Sequence, residues 1–304
     1  LLRSHSYVFF FFSLATPTPE IYPLSLPDAL PISWSVAFPL EDYGNQLVGN
    51  DVDMAYMTVA ELDRHMQAVM SNNRNTLRAA MLHILFDNVN DTFVDPRWGS
   101  LTIRHLANTD GSLYPPVIGS TTEADRERYA ESGYADSAVS DTNDPFETII
   151  AALEADFGQP TGGSNIATFV NSADVPYYTA LTDFFAVIPD RIQPGSNTDL
   201  PRNIPPELSS IGRVIGYHKS GSWVVQWDWV PDNYLLGIHL DADSPIIKRV
   251  DPAATGLGND LQLVSTDQDF PFVRSHWRHR FGFGCVHRLN AYVISLGTGG
   301  TYPP

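Results

Sequence analysis

Apolar residues recur at helical spacing over residues 59 to 87, where Leu62, Met66, Val69, Met70, Leu77, Met81, Ile84 and Leu85 fall on one face. Thr58 with Glu61 three residues on has the form of a capping box, so the pattern predicts a long amphipathic helix from about 59 to 87. The polar SNNRN in its middle is the place where it would be interrupted. A compact helix is predicted in DPFETIIAALEADFG, with Asp144 as N-cap, Pro145 in the first turn and Gly158 as C-cap. The period then changes to two: Trp223, Val225, Trp227 and Trp229 alternate with Val224, Gln226, Asp228 and Val230. IGRVIGY precedes this strand across a Lys-Ser-Gly turn and YLLGIHL follows it across Pro231-Asp232-Asn233, which predicts an antiparallel meander. Cys285 to Leu296 is almost continuously apolar and reads as a short strand buried on both faces. No repeat of fixed period appears, which argues against a solenoid or propeller.

Between these elements the chain is polar. SLTIRHLANTDGSLYPPVIG has hairpin character around Asp110-Gly111. Residues 110 to 156 hold eleven acids against two arginines, a balance of −9. An acidic, Gly- and Thr-rich excursion over 92 to 142 cannot bury much by itself, so it is expected to be an arm that packs on something else. TGGSNIATFVNSADV reads as a loop into a strand or short helix, and IPDRIQPGSNTDLPRNIPPELSS as a long surface connection. LLRSHSYVFFFFSLATP has a basic residue before a short, Phe-rich apolar run, and TPTPEIYPLSLPDALPIS lacks either period. Residues 1 to 33 resemble a translated sequencing-adapter remnant and are set aside from fold reasoning.

The 304 residues suffice for two domains or one core with large insertions, and 43% hydrophobic residues suffice for packing it. Lys+Arg of 18 against Asp+Glu of 35 gives a net charge of −17, and Lys219 and Lys248 are the only lysines. Such a surface is repelled by phosphate backbones, which argues against an open-surface nucleic-acid binder. The single cysteine excludes an internal disulfide and any multi-cysteine zinc site. No segment approaches the roughly 20 apolar residues that span a bilayer.

No enzyme signature is complete. GRVIGYHKS has glycines in the wrong frame for a phosphate loop, GLGND and GFGCV lack the third glycine of a dinucleotide fingerprint, and neither a nucleophile elbow nor a His-Glu-x-x-His helix occurs. SHWRHRFGFGCVHR gathers His276, His279 and His287 around Cys285, but on a strand the odd spacing of His276 and His279 sends them to opposite faces. Cys285, entering a buried strand, reads as a small hydrophobe. Asp241 and Asp243 read as solvated turn residues, and the Trp223, Trp227, Trp229 stripe as core or subunit interface. No catalytic, cofactor or metal residue is therefore assigned. Residues 272 to 304 hold four arginines, three histidines and no acid, opposite in character to the acidic excursion. Complementary patches far apart in one chain suggest contacts between copies as readily as within one.

HRFGFGCVHRLNAYVISLGTGGTY, VVQWDWVPDNYLLGIHLDA, RVDPAATGLGNDLQLV and TDFFAVIPDRIQPGSN, in their order, resemble a major capsid protein of tailed bacteriophages, the Hong Kong 97-like shell fold. The resemblance covers about Trp34 to Tyr302. It implies an α+β subunit with an arm and helix at 34–91, an extended loop at 92–142, a peripheral domain at 143–185 and 270–304 with a spine helix, and an apical domain at 186–269. It further implies a non-enzymatic protein without cofactors that tiles an icosahedral shell as hexamers and pentamers in the virion, assembled in the host bacterial cytoplasm. Such a shell encloses DNA without sequence-specific binding and takes scaffold, portal or decoration proteins as partners. The acidic loop would meet a neighbour's basic surface, with Arg104, Glu123, Asp125, Glu131, Arg278, Arg280 and Arg288 as subunit contacts. Some relatives cross-link through a loop lysine; residues 91 to 142 contain none, so noncovalent stabilisation is expected. The helix at 144–157 is short for a spine. Two alternatives stand beside this reading: an encapsulin-like nanocompartment shell, and a hydrolase or carbohydrate-binding module using the Trp223 to Trp229 strand with Asp241 and Asp243.

Overall fold

The computed structural model describes residues 38–107, 109–130, 139–157, 165–186, 208, 211–250 and 261–296. The adapter-like segment, Gly158, most of the 188–210 connection and RVDPAATGLGND beyond Val250 lie outside the described residues. In chain order the elements are β1 (Glu41–Asn50), α1 (Asp51–Tyr56), α2 (Val59–Phe86), β2 (Asp91–Asp95), β3 (Gly99–Ile103), β4 (Leu113–Tyr114), β5 (Ala124–Asp125), β6 (Tyr129–Ala130) and α3 (Pro145–Phe157). They continue with β7 (Ile166–Val170), α4 (Val175–Thr179), β8 (Phe184–Ala186), β9 (Arg213–His218), β10 (Ser222–Gln226), β11 (Tyr234–His239), β12 (Ile246–Val250), β13 (Gln262–Asp269), β14 (Phe272–Cys285) and β15 (Ala291–Ser295).

The long helix forms as its pattern predicts and runs unbroken through SNNRN. Its first turn is closed reciprocally: Thr58 N–H donates to Glu61 Oε2 at 2.8 Å and Glu61 N–H donates to Thr58 Oγ1 at 3.3 Å. Phe146 N–H donates to the Asp144 carboxylate at 2.8 Å, so the compact helix also starts where its cap places it. Among the described residues the longest helix is thus α2, of 28 residues, whereas α3 has 13.

Among the described residues, one sheet has seven strands in the order β6-β15-β11-β7-β10-β9-β8. Along β7 the side chains alternate strictly between two cores. Ala167 and Phe169 join the layer holding Met81, Leu85 and Phe86 of α2 with Phe281 and Phe283 of β14. Ile166 and Val170 join the layer holding Phe146, Ile149 and Leu153 of α3. Covered on both faces, the central strands can be apolar at every position, as β7, β11 and β15 are buried throughout. In a second sheet β14 is central, with β1 on one side and β13 and β12 along the other. Gly282 of β14 lies so close to the carbonyl of Pro39 that a Cβ would collide with backbone, which gives the GFG run a packing role.

Three expectations are corrected, and the acidic excursion is seen to pack in part on this chain's own core. The meander is interrupted: β9 and β10 pair as expected, but β7 lies between β10 and β11, parallel to the first and antiparallel to the second. The connection from β10 to β11 crosses the end of β7, tied by Trp227 N–H to the Val170 carbonyl at 2.9 Å and by Asn171 Nδ2 to the Val230 carbonyl at 2.6 Å. Trp227 and Trp229 consequently leave the strand, stack on each other at 5.7 Å, and Trp229 is covered by the Arg78 guanidinium of α2. The hairpin turn is at 96–98 instead of Asp110-Gly111, because Asp95 Oδ1 accepts from both Arg97 and Trp98 N–H and Gly99 supplies a φ of +76°. The excursion is anchored, with Leu106 and Ala107 fully buried and Tyr129 in the core where β6 joins the large sheet. Finally, Cys285 to Leu296 is divided: Cys285 ends the 14-residue β14, a 3-10 turn at Arg288–Asn290 follows, and only Ala291–Ser295 is β15.

Candidate assembly surface

The N-terminal half of α2 carries the same apolar stripe as the C-terminal half, but Val69 is the one residue of it that is buried. Leu62 and Met70 are exposed, while Met81, Leu82, Ile84, Leu85 and Phe86 are buried. Just before it, Asn50 caps α1 by accepting from Val52 N–H, and Asp51 N–H donates to the Pro271 carbonyl at 2.8 Å. That bond brings the tip of the β13–β14 hairpin beside α1. The result is a contiguous stretch of chain bearing Val52, Met54, Tyr56 and Val59 near Phe270 and Phe272, with Tyr56 84%, Val59 85% and Phe270 86% exposed. Large apolar side chains at these exposures, several in one region, are what a protein presents to a partner. A second apolar pair, Val94 and Trp98, sits exposed on the β2–β3 hairpin.

The charged residues expected at subunit contacts divide differently. Arg278 is exposed on β14, and Glu123 and Asp125 are exposed before and on β5. Glu131 lies outside the described residues. Arg280 forms an ion pair with Asp42 of β1, Nε to Oδ1 2.6 Å, so part of its charge is spent inside the chain. Arg104 is half-buried; its backbone carbonyl accepts from Cys285 N–H at 3.0 Å, and its charge acts on Cys285 and Tyr114.

Arg288 is a correction, because its side chain is 4% exposed and belongs to the interior. Its guanidinium donates to the His105 carbonyl at 2.7 Å, to Asp110 Oδ2 at 2.7 Å and to Asn90 Oδ1 at 3.0 Å. Acid and base therefore meet within one chain here, and Arg126 and Arg128 likewise both pair with Asp156. The histidines of β14 do part as expected: His276 faces Asp267 at 3.1 Å on β13, and buried His279 faces Asn73 of α2 at 2.8 Å. Cys285 donates its thiol to the Pro245 carbonyl at 3.2 Å, and burial pushes its pKa up to about 12 against the smaller opposing pull of Arg288 and Arg104. The folded protein is accordingly expected to leave a disulfide-exchange reagent such as DTNB unreacted, and to release one equivalent of chromophore only on unfolding in urea. Rapid reaction of the folded protein would show that β14 ends in solvent.

The sequence missed a polar cluster at the C-terminal end of α2. His83 and Asp87, Asp91 at the start of β2, and His105 just after β3 converge there. Only the i, i+4 spacing of His83 and Asp87 would have signalled it. Among the described residues no helix is long and apolar enough to cross a membrane.

No protein-family model matches the chain, and no curated protein does. The fold is nevertheless a known one, of the α+β class expected from the sequence. The likeness is to a solved structure of Mycobacterium phage Patience: TM-score 0.69 at 19% identity, over 95% of this chain and 80% of that one. The capsid of a native GTA particle aligns at 11% identity over 85% of this chain and 73% of that one, TM-score 0.45. The holo-SrpI encapsulin complex from Synechococcus elongatus PCC 7942 aligns at 8% identity over 87% and 76%, also with TM-score 0.45. These last two scores are too low to add to the argument.

Proposed function

We propose that this chain is a structural shell subunit, a phage major capsid protein that assembles with copies of itself into hexamers and pentamers of an icosahedral, DNA-enclosing particle. The observation that carries the reading is the uncovered apolar stretch from Val52 to Leu62 beside Phe270, on a fold like that of the Patience-phage structure. A second copy is the occupant that fits: a protein of net charge −17 needs apolar contact to overcome self-repulsion, and a shell supplies it in every subunit. Glu123, Asp125 and Arg278, exposed and of opposite sign, would set orientation at such contacts. An acidic inner wall also lets packed DNA slide without adhering. The work is done by contact between surfaces, with no reaction to catalyse.

The test is size-exclusion chromatography with negative-stain electron microscopy of the full chain. Closed shells, or rings of five and six subunits, are expected. The double substitution Tyr56→Asp, Val59→Asp is expected to leave the circular dichroism spectrum and melting temperature near the parent's, because both side chains are exposed, while reducing assembly at least tenfold. A parent protein that stays monomeric across salt and pH would overturn the proposal.

A further inference from the structure

At the junction of α2 with the β2–β3 hairpin, His83 stands between two carboxylates. Its Nδ1 is 3.2 Å from Asp87 Oδ2 and its Nε2 is 3.0 Å from Asp91 Oδ2. A neutral imidazole has one N–H, so it can donate to one of these and must turn a lone pair toward the other. A second ring crowds the same oxygen, since His105 Nε2 lies 3.2 Å from Asp91 Oδ2. Two carboxylates and two imidazoles thus converge on one point, and the groups acting electrostatically on His105 are those same three neighbours, Asp91, His83 and Asp87.

We infer that His83, Asp91 and His105 form a binding site for a divalent transition metal of the zinc type, with Asp87 orienting His83 from behind. The donor set is the mixed imidazole and carboxylate one that such ions take. Asp91 Oδ2 lies 3.0 Å from His83 Nε2 and 3.2 Å from His105 Nε2, close to the separation of about 3.4 Å between ligands about 2.1 Å from a tetrahedral ion. Asp87 at Nδ1 fixes His83 with Nε2 directed to the site, the carboxylate–histidine pairing usual behind metal ligands. His105 is fully buried, so its ring is held in place by the surrounding core. Access exists, because His83 and Asp91 line a cavity of about 390 Å³ between α2 and β14, together with Glu41, Tyr43 and Phe281.

The elements joined define the role. The ion would pin the last turn of the long helix to both ends of the β2–β3 hairpin, so that the hairpin's base cannot pivot. This is a property of one subunit and stands whether or not the chain assembles.

The experiment uses the full chain, stripped with EDTA and dialysed against zinc sulfate, with metal content read by plasma mass spectrometry and binding by calorimetry. The parent protein is expected to retain one zinc per subunit and to melt at a higher temperature with zinc than after EDTA. Cobalt in its place should give the intense visible bands of a tetrahedral site. Asp91→Asn and His83→Gln, both at half-exposed positions, are expected to weaken binding at least tenfold and to abolish the zinc-dependent rise in melting temperature. His276→Gln, at the separate surface pair with Asp267, should bind as the parent does. A folded parent that retains no zinc, or Asp91 and His83 variants that bind as tightly as the parent, would overturn the inference.

Discussion

Arg288→Met is expected to destabilise the subunit by about 3–5 kcal/mol, the usual cost of removing one partner from a buried, hydrogen-bonded charge pair. Methionine fills similar space but leaves Asp110 Oδ2, Asn90 Oδ1 and the His105 carbonyl without their donor. Arg288→Lys should fall between the two, since one ammonium cannot reach three acceptors set around a planar fork. A companion effect is expected in acid. Burial alone would raise the pKa of Asp110, but the hydrogen bonds from Arg288, Ser112 and Asn90 with the Arg288 charge outweigh it and hold Asp110 at about 2. A carboxylate whose folded value lies below its unfolded one, about 3.9, stabilises the fold above that value, and the contribution is lost as pH falls from about 4 to 2. Urea titrations should show this slope in the parent and its loss in Arg288→Met. An Arg288→Met variant as stable as the parent, with the slope intact, would return Arg288 to the surface.

Phe169→Ala is expected to cost about 3–5 kcal/mol, the range for truncating a buried phenylalanine. Phe169 is fully buried on the middle strand of the seven-stranded sheet and packs edge-on against Trp227 at 5.7 Å. Neighbouring strands hydrogen-bonded on both sides cannot close inward to fill the space. The measurement is the urea midpoint at unchanged slope, with the melting temperature alongside. A cost below about 1 kcal/mol would place Phe169, and with it β7, at an edge.

What the sequence made legible was local. The helix from Thr58 and the one from Asp144 announced themselves through caps and periodicity, because those signals lie within one turn of the residues they organise. The β9–β10 hairpin was legible from its turn. The place of β7 was not: the parallel pairing of Ile166–Val170 with Ser222–Gln226 has no local signature, and alternation carried the strand on through Trp227 and Trp229 where the chain in fact turns. Arg288 was misplaced for the same reason. Its neighbours in sequence are basic, which suggested a surface patch, while the acid that takes it inside is 178 residues away. The cluster of His83, Asp87, Asp91 and His105 draws on a helix end, a strand start and a loop, a spacing that no motif encodes. The exposed apolar stripe was visible as half of an amphipathic helix, but which half would be covered required the sheet.

The order of strands bears on how the protein is made. β15 lies between β6 and β11, and β14 between β1 and β13. Both are supplied by residues 272–295, the last of the described strands to leave the ribosome. Until then a growing chain holds β1, β6 and β11 with unpaired edges, and neither sheet can close. Closure of both sheets therefore waits for residues 272–295, and until those strands are in place chains are too immature to join one another. The same wait leaves those edges open to chaperones, proteases and wrong partners.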